Sequence, residues 1–284
     1  MDTTVVVLVL AGAVCVATWV ASVITRDYSW VDRAWSIVPV AYVAIPWAAT
    51  GFGDARLALM TLVAAAWGAR LTYNFARKGG YRGVEDYRWP VLRSRMTAGQ
   101  FQVFNVLFIV LFQNALLLLI ALPAHVALAA VGTPLAPLEW ALAIAFLALL
   151  FGEWLADEQQ WRFQRAKSAT LAAGRVPDQR CLTTGLWRYS RHPNFFFEQA
   201  QWWVFALWGS ASVGTLANVG MIGPVLLTAL FLGSTVFTES LSRAKYPEYA
   251  EYQRSTSMLI PWIPRQSRGA ALRDRWSDGG GVRR

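Results

Sequence analysis

Apolar residues gather along this chain in seven blocks that read as membrane-crossing helices. A crossing needs about 20 mostly apolar residues to span a hydrocarbon core of about 30 Å. The blocks are Thr3–Ile24, Ala34–Thr50, Arg56–Phe75, Phe101–Leu122, Leu138–Ala156, Glu198–Val213 and Val219–Thr238, of which the second and sixth are short and carry Pro or Trp. The first follows an acidic start at Asp2, and its apolar stretch is longer than the core of a signal peptide, so it reads as an uncleaved helix. The pattern predicts an all-α integral membrane protein, about seven transmembrane helices in one bundle over residues 1–264, with no internal repeat. Residues 265–284, rich in Arg, Gly, Ser and Asp, read as a basic disordered tail.

Charge orients the bundle. Lys and Arg collect at residues 77–95, 162–191 and from Arg243 onward, whereas 123–137 and 214–218 carry none. Basic segments mark the cytoplasmic side, so the alternation places the N-terminus outside and the C-terminus in the cytoplasm, in agreement with Arg26 and Arg33 in the first connection. The net charge of +9 follows largely from this bias and from attraction to anionic headgroups; a nucleic-acid partner is not expected, since no reading motif is present. Composition agrees: 56% hydrophobic and 15% charged residues depart from the roughly 45–50% and 25% of soluble domains. Fifteen Trp suit membrane–water interfaces, while two Cys and two His exclude a disulfide framework and a His-rich metal cage.

Ionisable residues inside such blocks are costly and point to function. Glu153, Asp157, Gln160 and Gln164 follow at steps of four, three and four, on one face of the fifth helix. A helix emerging into water explains Gln164; Glu153 and Asp157, beside Trp154 and Leu155, suit a polar pocket. The stretch Thr184–Glu198 is the densest in chemistry. Pro193 suits the first position of a helix, whose free N–H groups favour an anion, with Arg188, Arg191 and His192 at the same end. Asn194, Glu198 and Gln201 share a face of that helix. The alternative is that Arg191 and His192 anchor to lipid headgroups. Tyr246, Tyr249 and Tyr252 recur every three residues, either as an interfacial belt or as a cap over a flat cofactor ring. In the N-terminal half, Arg70, Asn74 and Arg77 suit helix-tying ion pairs, and Gln102, Asn105 and Gln113 suit hydrogen bonds between helices.

The Thr184–Glu198 block, Glu153 and Asp157 before it, and the closing Tyr249-x2-Tyr252 with Thr256-Ser257-x3-Pro261-Trp262 resemble the steroid 5-alpha-reductase superfamily. More closely they resemble its bacterial DUF1295-like branch, which also has Trp-Val-Asp-Arg and Glu-Asp-x-Arg segments. The likeness covers residues 25–264, strongest from about 138 onward. It implies a multi-pass reductase of a bacterial inner membrane that binds NADPH from the cytoplasmic side and reduces a carbon–carbon double bond in a lipid or steroid-like enone. It implies cofactor contacts from Asp157, Tyr189, Arg191, Asn194 and Glu198, with Glu239, Arg243 and Tyr246 in a covering segment; the residue chemistry above adds Arg188, His192 and Tyr249 to the candidate cofactor residues. It sets Asp32 at the acid of the first loop and Trp67 where the steroid enzymes have a catalytic Tyr, leaving Tyr73 and Tyr28 as substitute donors. The membrane methyltransferases that use S-adenosylmethionine share the Arg-His-Pro-Asn core and are the competing resemblance; a transporter is a third, weakened by the clustering of polar residues at one face.

Overall fold

The computed structural model describes residues 2–264, so the basic tail at 265–284 lies outside the described residues. The described chain is helical, its one isolated bridge joining Ser190 and Ser257. The long helices are α1 (Thr3–Thr25), α2 (Val38–Ala49), α3 (Ala55–Arg77), α4 (Ala98–Ala130), α5 (Pro137–Ala172), α6 (Pro193–Val213) and α7 (Val219–Lys245), each overlapping one apolar block. Four of them, α1, α4, α5 and α7, are long and apolar enough to cross a membrane, which marks a multi-pass membrane protein. At 12 residues α2 reaches about 18 Å, short of the hydrocarbon core. In the other direction, α5 continues 16 residues past the apolar block, for a total of 36, because its polar part keeps good helix formers.

The chain divides into two compact units. Unit 1 comprises residues 1–150 and 199–230; unit 2 comprises 151–198 and the described residues from 231 onward.

The core of unit 1 is aromatic and tightly spaced. Trp67, Trp202, Phe146, Phe205 and Trp208 are buried and meet mainly edge to face. Small residues let backbones approach: a Cβ added at Gly209 would sit 2.6 Å from the Pro123 carbonyl oxygen, and one at Gly223 2.4 Å from that of Leu119. Arg56 and Glu139 form a buried ion pair, and Glu139 also accepts from Trp208 Nε1 at 3.2 Å. Arg56 further donates to the Ala130 carbonyl at 2.7 Å, which ties the end of α4 to the start of α3.

Helix α4 has a wide stretch. Asn105–Phe112 is wound as a π-helix, a rare form in which each turn takes in an extra residue. Asn105 and Asn114 are two and a half α-helical turns apart, roughly opposite sides of a regular helix. With the wide winding both reach α1: Asn105 donates to Ser22 Oγ at 3.1 Å and Asn114 to Thr18 Oγ1 at 3.2 Å. Gln102, at the head of α4, donates to Tyr28 OH at 3.0 Å, so Gln102 and Asn105 serve as ties between segments.

Candidate functional site

In unit 2, Pro193 opens α6 as its sequence position predicts, and the residues before it are drawn onto the C-terminal segment. The Arg191 N–H donates to the Ser257 carbonyl at 2.8 Å, and the Trp262 N–H donates to the Tyr189 carbonyl at 2.9 Å. Ser190 Oγ donates to the Leu259 carbonyl at 2.7 Å and accepts from the His192 N–H at 3.1 Å. These bonds hold residues 189–192 against the C-terminal segment, with the Arg191 and His192 side chains on Glu239 of α7.

Glu239 of α7 receives them. Arg191 Nε lies 2.6 Å from Glu239 Oε1 and Nη2 lies 3.0 Å from Oε2, a bidentate pair. His192 Nε2 lies 3.1 Å from Oε1, and Gln253 Nε2 donates to Oε2 at 2.7 Å. The remaining Arg191 nitrogen donates to the Gln253 carbonyl at 3.0 Å and to the Thr256 carbonyl. Arg191, His192 and Glu239 are each less than 9% exposed. Arg191 and His192, two of the three groups that the sequence offers to an anion, are thus engaged by a carboxylate of the chain itself. Arg188, Tyr189 and Arg243 are exposed.

A set of polar residues from three helices lies buried in the same unit. Glu153 and Asp157 of α5, Glu198 of α6 and Glu239 of α7 are 1%, 3%, 8% and 5% exposed. In the same unit, Gln160 Oε1, Asn194 Oδ1 and Thr235 Oγ1 are buried with no hydrogen-bond partner among the described residues. The tyrosine row is split. Tyr249 and Tyr252 face inward on the helix α8 (Tyr249–Ser255), edge to face at 5.6 Å, and Tyr252 OH donates to the Trp187 carbonyl. Burial pushes both phenols well above the ordinary tyrosine range. Tyr246 precedes the helix, and its OH accepts from Lys167 Nζ at 3.0 Å, a bond that lowers the phenol's pKa.

In unit 1 the two N-terminal motifs clasp each other. Trp89 Nε1 donates to Asp32 Oδ2 at 3.0 Å, and the Asp86 N–H donates to Ser29 Oγ at 2.8 Å. The Tyr28 N–H donates to Glu85 Oε1 at 3.1 Å, and Arg33 pairs with Asp27 at 2.6 Å. Burial raises the Asp32 carboxyl above its ordinary range, with Arg88 opposing and Asp86 reinforcing the shift. Tyr73 is 60% exposed on α3, where the Arg77 guanidinium lies 5.3 Å from its ring centre.

The residues that sequence reading passed over are Gln253, Ser190, Thr235 and the pair Arg56–Glu139. Thr235 had a signal, one turn before Glu239 on the same face. Gln253 had none, since its role depends on where α8 comes to rest.

Fold and composition define a helical multi-pass membrane protein. Residues 18–256 match the model of a family described as a protein of unknown function, DUF1295, and the chain belongs to that family. It is 37% identical over 259 residues to the uncharacterized protein C594.04c of Schizosaccharomyces pombe, covering 86% of this chain and 75% of the yeast protein. No solved structure matches it.

Proposed function

We propose that the chain is an NADPH-dependent membrane reductase of a carbon–carbon double bond in a lipid or steroid-like enone. The observation that carries this reading is the buried polar set of unit 2, where carboxylates from three helices are buried and Gln160 Oε1, Asn194 Oδ1 and Thr235 Oγ1 have no partner among the described residues. Polar atoms left unmet in a membrane protein are expensive, and an outside ligand that matches them recovers the cost.

The side chains suit a dinucleotide in part. Asn194, Gln160 and Thr235 fit ribose hydroxyls and a carboxamide. Exposed Arg188 and Arg243 fit phosphate charge, whereas Arg191 and His192 hold the frame through Glu239. Bound NADPH would supply a hydride to the β carbon of the enone. In unit 1, burial lets Asp32 keep its proton further toward neutral pH than an exposed carboxyl. A proton at the α carbon completes the reduction. The same reading has α2, α3 and α6 crossing the bilayer with the four apolar helices, the N-terminus outside and the C-terminus in the cytoplasm of a bacterial inner membrane.

Titration calorimetry of the purified protein in detergent tests this. NADPH binds and S-adenosylmethionine does not, and Asn194→Ala weakens NADPH by about tenfold, the worth of one or two polar contacts. The reverse ligand preference would replace the reductase with a methyltransferase. Lipid profiling of a deletion strain then identifies the substrate as an accumulating unsaturated species.

A further inference from the structure

Two tryptophans deep in unit 1 have indole N–H groups for which the described residues provide no acceptor. Trp67 of α3 and Trp202 of α6 are 0% and 1% exposed, and neither Nε1 has a hydrogen-bond partner. Their rings meet edge to face, with centroids 4.8 Å apart. In that geometry one N–H at most can point at the π face of the other ring. At least one donor is therefore left over, in surroundings where an unmet donor is costly.

Three other indoles of the same unit are met, while Trp47 Nε1, on a half-buried side chain, also lacks a partner among the described residues. Trp208 Nε1 donates to Glu139 at 3.2 Å, Trp89 to Asp32 at 3.0 Å and Trp203 to Thr228 Oγ1 at 3.1 Å. Beside the unmet pair, Gln199 lies three residues before Trp202 on α6, 7% exposed, with its Oε1 lacking a donor. One side of α6 thus offers both an unmet donor and an unmet acceptor. The walls around them are Phe146 and Phe205, whose centroids lie 6.4 Å and 5.4 Å from that of Trp202.

We propose that Trp67 and Trp202 form a binding site for the uncharged oxygen of an apolar ligand taken from the bilayer. The donors are neutral indoles and the walls are aromatic, so an anionic group would be buried without compensation. A carbonyl oxygen accepts from the indole N–H; a hydroxyl does the same and also offers its proton to Gln199 Oε1. Both rings are closed over in the structure, so the ligand displaces side chains as it enters. The site lies in unit 1, and its ligand is selected by these donors alone, independently of the chemistry proposed for unit 2.

The indole resonances of 15N-tryptophan protein in detergent report this directly, with octadecan-2-one, octadecan-1-ol and octadecane as matched probes. The ketone or the alcohol moves the Trp67 or Trp202 N–H proton downfield in a saturable way and the alkane does not; the larger of the two shifts names the oxygen. Trp67→Phe and Trp202→Phe weaken binding of that probe, by about tenfold for the donor that is used. Equal shifts with the alkane, no shift at all, or unchanged affinity in both folded variants would overturn the site. Should either variant fail to fold, the resonances of the unsubstituted protein still decide the matter. NADPH affinity is measured on the same samples, so failure of this site and failure of the reductase reading are separate results.

Discussion

Replacing Glu239 with Gln removes one negative charge from a junction where four hydrogen bonds end on a single carboxylate. If the amide oxygen takes the place of Oε1, the bonds from Arg191 Nε and His192 survive. The amide nitrogen then faces Arg191 Nη2 and Gln253 Nε2, donor against donor. Breaking a buried ion pair costs about 3–5 kcal/mol, and the retained acceptor returns about 1 kcal/mol, which leaves about 2–4 kcal/mol. For a chain of this size that lowers the thermal midpoint by about 5–15 °C. Circular dichroism in detergent reads it. Arg191→Met with Glu239→Leu is the deciding companion, because replacing the whole pair by apolar groups costs less than the two single changes summed. Simple additivity of the two would refute the reasoning, since it would mean that Arg191 does not depend on Glu239 for its charge.

Two further perturbations follow from the geometry. The Asp32 carboxyl has a raised native pKa, so its stabilising contribution is complete below the ordinary carboxylate value of about 3.9 and is lost as pH rises through the native one. Asp32→Asn abolishes that loss, and its thermal midpoint gains on the unsubstituted protein as pH rises from about 3.9 toward neutrality; parallel curves would contradict the buried assignment. Gly209→Ala drives a Cβ to 2.6 Å from backbone at Pro123 and costs about 1–3 kcal/mol, whereas Gly12→Ala, with nothing within 4 Å, leaves the midpoint unchanged or slightly higher.

What the sequence made legible was what repeats or punctuates. Every apolar block corresponds to a helix, and Pro193 marks a helix start to the residue. Polar spacing worked where a helix stayed regular, as for Glu153 and Asp157, both buried. In α4 it anticipated Asn105 as a tie between helices but not Asn114, which π winding turns to the same partner and which no propensity announces. Arg191 and His192 were legible as conspicuous cations, yet their partner Glu239 lies 48 and 47 residues away along the chain. Pairing at that distance is a property of the packed fold, and local reading assigns such cations to an outside anion instead. The same holds for Arg56 and Glu139, 83 residues apart.

The hold on Arg191 also sets an order of events during synthesis. Its guanidinium reaches the Thr256 carbonyl, 65 residues further along, and Ser190 Oγ reaches the Leu259 carbonyl, 69 residues further along. A nascent chain that has just produced α6 therefore carries a charged start with none of these acceptors yet made. Arg191 and Ser190 must wait without these partners while α7 and the segment after it are translated. Unit 2 closes last, and a ribosome stalled before residue 256 leaves an inserted chain whose charged junction is still open to degradation machinery.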